Sequence, residues 1–248
     1  MKKVIYYNSL DCDVIEAKDQ EYKLKDNYKW VRTDFSSKVL SGIIYFFALV
    51  ISFVYLHFVL RMKIIKNKEL KKEKEGYFIY SNHTQVVGDV FIAAHVAFIK
   101  RIYTIVSPSN FSIPFIGKLL PYLGALPTSR DLSGLKELNK GVSYRISKGK
   151  VVVIFPEAHV WPYCSFIRPY SDTSFKYPIK LDKNSYSVTV TYLKTKLRKR
   201  PKMVIYVDGP FKEETKELLK EKIEAVMIER SKLSDIEYIK YEKSKSNI

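Results

Sequence analysis

Tyr77-Phe-Ile-Tyr-Ser-Asn-His-Thr-Gln-Val-Val-Gly-Asp89 reads as a strand, a polar turn and the first residue of a helix. Tyr77 to Tyr80 is a short aromatic and β-branched run of the kind that forms a buried strand. After Asp89, Val90 to Lys100 is apolar almost throughout and carries Ala93, Ala94 and Ala97, which suits a helix. His83 and Asp89 then fall in a strand-to-helix turn. Histidine takes up a proton near neutral pH, and a carboxylate on its other ring nitrogen fixes the tautomer and stabilises the imidazolium. That is the equipment of a general base. The plainer alternative makes Asp89 a helix cap and His83 a turn residue.

Outward from this stretch, strand and helix patterns alternate. Ile102 to Val106, Val151 to Phe155, Ser187 to Tyr192 and Met203 to Val207 read as further strands. Leu132, Leu135, Leu138, Val142 and Ile146 recur at helical spacing, as do Leu218, Leu219, Ile223, Val226 and Met227. The expected fold is α/β, a mixed and largely buried sheet flanked by helices, with an N-terminal membrane-associated helical segment. Residues 1–38 are a polar lead-in, 39–66 the membrane-associated helix and 67–248 the catalytic domain. Lys243 to Ile248 is expected to be disordered.

Further blocks follow the histidine in a set order: Gly124-Ala-Leu-Pro-Thr-Ser-Arg130, Phe155-Pro156-Glu157 after four apolar residues, and Tyr177-Pro178-Ile179. Together with His83 and Asp89 they resemble the PlsC-like glycerolipid acyltransferase family, which acylates lysophosphatidic acid, over roughly residues 60 to 215. There are two departures. Five residues separate His83 from Asp89 where the family has four, and Ala158-His159-Val160-Trp161 stands where it has Gly-Thr-Arg. The chain is similar to a divergent branch of that family.

The resemblance implies transfer of a fatty acyl group from acyl-CoA or an acyl carrier protein to the hydroxyl of a lysophospholipid, foremost 1-acyl-glycerol-3-phosphate. It implies no metal and no cofactor beyond the thioester. It gives His83 the role of base, Asp89 that of its orienter, Arg130 the acceptor phosphate and Glu157 a place at the acceptor, bonding a glycerol hydroxyl or orienting Arg130. His159, two residues beyond Glu157, either binds substrate or packs in a loop beside Trp161. Arg168 is a second candidate phosphate ligand. His57 and His95 lie in apolar helical contexts and read as structural.

Composition agrees with a lipid substrate. The net charge is +17, from 43 Lys and Arg against 26 Asp and Glu, which calls for an anionic partner. Six of these charges crowd into residues 194 to 202. Val39 to Leu60 is 22 residues without a formal charge, and a helix of that length covers about 33 Å, enough to span a bilayer or lie in its interface. The side downstream, with Arg61, Lys63, Lys66, Lys68, Lys71, Lys72 and Lys74, is the more basic. This places the catalytic part on the cytoplasmic face of the cell membrane. Two cysteines, Cys12 and Cys164, in unrelated contexts form neither a disulfide framework nor a metal motif. Two other readings compete: a metal-dependent hydrolase holding its ion with His83, Asp89, Glu157 and His159, and a basic protein that binds nucleic acid or membranes without catalysis. No His-Glu-x-x-His or nucleic-acid motif supports either.

Overall fold

A computed structural model shows the architecture and describes residues 3–15, 19, 21–24, 28–65, 67–98, 100–196 and 198–244. In chain order the elements are β1 (Lys3–Tyr7), α1 (Phe35–Val54), β2 (Lys63–Ile65), α2 (Lys68–Lys72), β3 (Tyr77–Ser81), α3 (Asp89–Ala97), β4 (Ile102–Val106) and α4 (Ile116–Leu123). They continue with β5 (Ala125–Pro127), α5 (Leu132–Ser147), β6 (Val151–Ile154), α6 (Lys176–Leu181), β7 (Ser185–Leu193), β8 (Lys202–Phe211), α7 (Lys216–Ser231) and β9 (Ile239–Lys243). The fold is mixed α/β, as expected.

The main sheet orders its strands β2-β8-β7-β3-β6-β4-β5. From β7 to β5 neighbouring strands are parallel; β8 is antiparallel to β7, and β2 is parallel to β8. Every residue of β3 and β6 is buried, which is what parallel strands covered on both faces require. Because side chains alternate along a strand, the sheet divides the core in two. Ile79, Val151, Val153 and Val188 face a cluster with Leu56 and residues of α3, whereas Phe78, Tyr80, Val152 and Ile154 join Leu138 and Val142 of α5 and Ile223 of α7. Gly76 sits where a Cβ would lie 2.3 Å from the Ile146 carbonyl oxygen, so only glycine lets α5 end this close to the start of β3.

Helix α1 starts at Phe35, before the apolar stretch itself. Asp34 caps it by accepting from the Ser37 amide at 2.9 Å, so the polar residues 36–38 form its first turn. It continues as a π-helical turn over Tyr55–Val59. The combined segment, Phe35–Val59, has the length and composition to cross a membrane. One side packs on the domain through Tyr45, Leu49, Ser52 and Leu56. The other is open, with Phe46, Phe47, Ile51 and Phe58 each about 60% exposed or more.

Three boundaries differ from the sequence expectation. The lead-in is not separate, because β1 pairs in parallel with β9, Lys3 opposite Ile239 and Tyr7 opposite Lys243. Residues 63–65, grouped by composition with the membrane helix, form an edge strand of the sheet. Lys243 closes β9 and is ordered by that pairing, whereas residues 245–248 and Lys66 of the basic flank lie outside the described residues.

Candidate active site

The carboxyl ends of β3, β6, β4 and β5 share one edge of the sheet, the edge where open α/β sheets bind ligands. His83 leaves β3 there. Its Nδ1 lies 2.8 Å from Asp89 Oδ2, and the ring, about one fifth exposed, stacks on Phe155 at the end of β6 with centroids 4.4 Å apart. With Nδ1 donating to the carboxylate, the neutral imidazole keeps its lone pair on Nε2.

Asp89 is not the cap of its helix. Gly88 occupies the N-cap position, and the Asp89 carboxylate turns back to accept from the Thr84 amide at 2.6 Å and the Gln85 amide at 2.8 Å, as well as from His83. A left-handed glycine is one way for a turn to absorb the extra residue between histidine and aspartate. Gly88 has φ −83°, ordinary helical space, so the turn absorbs the residue without it. A Cβ at this position would come within 3.0 Å of the Gln85 side chain, and close packing is the reason for glycine here.

Residues that the motif reading did not single out hold this turn. Asn82 bridges to β7 in both directions, Nδ2 to the Val190 carbonyl at 3.1 Å and Oδ1 from the Val190 amide at 2.8 Å. Tyr192 donates to Thr84 Oγ1 and accepts from Gln85 Nε2, each at 2.8 Å. Burial pushes the Tyr192 phenol well above its usual range, reinforced by the nearby Asp89 charge, so it stays a neutral donor. Asn82, adjacent to the histidine, stood inside the deciding stretch; Tyr192 lay in a strand pattern that carries no such signal.

Glu157 and Arg168 come together, in a role other than the one expected. Glu157 Oε2 accepts from the His83 amide at 3.1 Å and pairs with Arg168 Nη2 at 3.2 Å, while Oε1 accepts from the Arg168 amide at 2.8 Å. Both side chains are 1% exposed. Burial raises the Glu157 pKa, and the Arg168 charge, the two amide donors and His83 oppose that shift. Arg168 also bonds the His159 and Leu10 carbonyls and lies over Trp161. Its guanidinium is therefore an internal strut and not a surface phosphate ligand. Glu157 anchors the backbone of the histidine and engages Arg168, not Arg130.

His159 is held by Asp13 of the N-terminal segment, Nδ1 to Oδ1 at 2.6 Å. The Trp161 indole donates to the Cys12 carbonyl at 2.9 Å and stacks on Tyr241 of β9. The segment read as a polar lead-in thus covers the loop that departs from the family pattern. Arg130 stands apart from these residues, exposed in the connection from β5 to α5. The Gly124 to Arg130 block spans a strand: Gly124, at φ +99°, caps the end of α4, β5 follows over Ala125–Pro127, and Arg130 lies beyond its carboxyl end. Among the described residues no three His, Cys, Asp or Glu side chains converge to hold a metal.

Tyr177 and Pro178 are buried in the first turn of α6. Of the six basic residues at 194–202, Lys194, Lys196, Arg198, Lys199 and Arg200 are exposed in the β7 to β8 connection, and Lys202 opens β8.

Comparison with known proteins agrees with this arrangement. The Acyltransferase family matches residues 63–236, from β2 to just beyond α7. Among curated proteins none matches by sequence. The fold is similar to the crystal structure of the 1-acyl-sn-glycerophosphate (LPA) acyltransferase PlsC from Thermotoga maritima, with a TM-score of 0.55 over 84% of this chain and 87% of that one, at 14% identity. The family match covers the sheet, the His83 turn and the Glu157 strut together, and the chain belongs to the Acyltransferase family.

Proposed function

We propose that the protein transfers a fatty acyl group from acyl-CoA or an acyl carrier protein to 1-acyl-glycerol-3-phosphate, at the cytoplasmic face of a membrane, giving phosphatidic acid. The observation that carries this reading is the His83–Asp89 pair, 2.8 Å apart at the carboxyl edge of the sheet with Nε2 left to accept a proton. In the reaction His83 Nε2 takes the proton of the acceptor hydroxyl as its oxygen attacks the thioester carbonyl. The tetrahedral intermediate collapses, the C–S bond breaks, and the departing thiolate receives the proton from the imidazolium. Asp89 stabilises the imidazolium between these steps. No acyl-enzyme is needed.

Arg130 is assigned the acceptor phosphate. It follows β5, three strand spacings or about 14 Å from β3, a gap that a histidine, an arginine and a glycerol phosphate between them can bridge. The planar guanidinium fork suits a phosphate. The open apolar side of α1 supports membrane attachment, since among the described residues Phe46, Phe47, Ile51 and Phe58 are left largely uncovered. The basic β7–β8 connection would face anionic headgroups or the donor's phosphates.

Mass spectrometry of lipids formed from a panel of lysophospholipids and acyl donors tests the assignment. Phosphatidic acid as the dominant product supports it. A dominant product from a lysolipid without a phosphomonoester would move the acceptor, in keeping with the altered Ala158-His159 loop.

A further inference from the structure

At the amino edge of the sheet, opposite His83, lies a cavity of about 550 Å³. It is bounded by the start of α1 (Ser37, Lys38, Ser41), the residues before β4, β5 and β6 (Arg101, Gly124, Lys150) and the end of α5. Six basic residues line it, Arg32, Lys38, Arg101, Arg145, Lys148 and Lys150, and among the described residues of its wall there is no carboxylate. Trp30, Tyr103, Tyr122 and Tyr144 supply the aromatic part. Six like charges with no counter-charge in one concavity repel one another, and an anion relieves that repulsion.

Two of the arginines are held but not satisfied. Arg101 donates to Ser41 Oγ at 2.6 Å, and Arg145 lies over the Tyr103 ring at 4.2 Å, yet the Nε of each is buried with no hydrogen-bond partner among the described residues. Burial, together with the Arg101 and Arg32 charges, lowers the Arg145 pKa. A bound anion would reverse that effect.

The cavity adjoins an apolar surface. On the first turns of α1, Ser37, Lys38 and Ser41 line the basic wall, while Phe35, Val39, Leu40 and Ile43 are exposed. On α4, Pro121 and Tyr122 line the wall, while Ile116 and Leu119 are exposed. A charged concavity beside an uncovered apolar face has the polarity of a phospholipid, head against the arginines and chains along the helices. Ser41 and Leu56, the latter packed beside Gly88 at the His83 turn, are 15 residues apart, so the cavity and the turn lie at opposite ends of about 23 Å of helix.

We propose that this cavity binds the phosphate of an anionic phospholipid headgroup, distinct from the lipid undergoing reaction, and so fixes how α1 rests on the membrane. The proposal rests on the membrane attachment proposed above. It is tested on the full chain with vesicles of phosphatidylcholine alone and of phosphatidylcholine mixed with phosphatidylglycerol. The double variant Arg145→Gln/Lys148→Gln is compared with a charge-matched control on α6, Lys176→Gln/Lys180→Gln, two exposed lysines on the face of the sheet away from α1. We expect the cavity variant to lose at least about tenfold more of the preference for the anionic vesicles than the control, with binding to phosphatidylcholine unchanged in both, since loss of diffuse charge affects the two equally. Lys38→Gln, at an exposed position, repeats the test if the double variant folds poorly.

Equal losses in cavity and control variants overturn the site. Failure of the wild type to bind phosphatidylcholine overturns the membrane attachment, and the lipid source with it. A second arm follows Trp30 fluorescence with soluble dihexanoyl phosphatidylglycerol or inorganic phosphate, using Trp30→Phe to remove the signal. Saturation by the lipid at far lower concentration supports a headgroup site. Saturation by inorganic phosphate just as readily overturns the lipid in favour of a free anion.

Discussion

Asp89 does more than orient a histidine. Its Oδ2 gathers three donors, the His83 ring and the amides of Thr84 and Gln85, in a buried turn. An asparagine in its place would keep one acceptor oxygen but lose the charge that stabilises the imidazolium. We expect Asp89→Asn to cut kcat by about 10² to 10⁴ and to cost about 1 to 3 kcal/mol of stability, read from turnover and a urea midpoint on the same preparation. An aspartate that merely capped α3 would leave turnover near normal. Arg168 gives the complementary case. Arg168→Met leaves Glu157 buried without its cation and should cost about 3 to 5 kcal/mol, while the acceptor KM of the folded enzyme changes little. An unchanged midpoint with a raised acceptor KM would return Arg168 to the headgroup.

The elements show what the sequence could convey. The strands 77–80, 102–106 and 151–155 were legible to within a residue at their ends, because their burial on both faces makes them short apolar runs between polar turns. The His83–Asp89 pair was legible for a local reason as well: both residues belong to one turn. Neither β1 nor β9 was. Lys-Val-Ile-Tyr-Tyr and Ile-Lys-Tyr-Glu-Lys are strands only because they find each other from opposite ends of the chain, and no local pattern records that pairing. The same holds for the Glu157–Arg168 strut, since nothing in the two side chains announces that the intervening loop folds back under the N-terminal segment. That segment's packing can be measured through Cys164, which burial holds at a pKa of about 12, against the more accessible Cys12. A thiol raised so far has almost no thiolate at pH 8, so a thiol reagent should label Cys12 and spare Cys164 until the protein unfolds. Removing residues 1–13 should make Cys164 reactive under native conditions. Labelling of Cys164 at the same rate with and without the segment would show that the segment does not seal the loop.

At the scale of the whole molecule, the carboxyl edge of the sheet carries the chemistry and α1 carries the open apolar side. The net charge of +17 draws the protein toward anionic surfaces, but charge alone is screened by salt, and burial of the α1 face is not. The protein should therefore remain with membranes through a high-salt wash and leave them with detergent. Complete release by salt would mean that charge alone holds the protein to the membrane and that the α1 face stays out of it.

The most direct measurement is the rate of thiol release from acyl-CoA on addition of 1-acyl-glycerol-3-phosphate, for wild type and His83→Ala at equal membrane loading and with melting temperatures taken alongside. With His83 as the base, the variant loses about 10² to 10⁴ in rate and keeps its melting temperature, since the ring is partly exposed and its removal leaves the backbone anchors of the turn in place. Retention of most of the turnover by His83→Ala would contradict it.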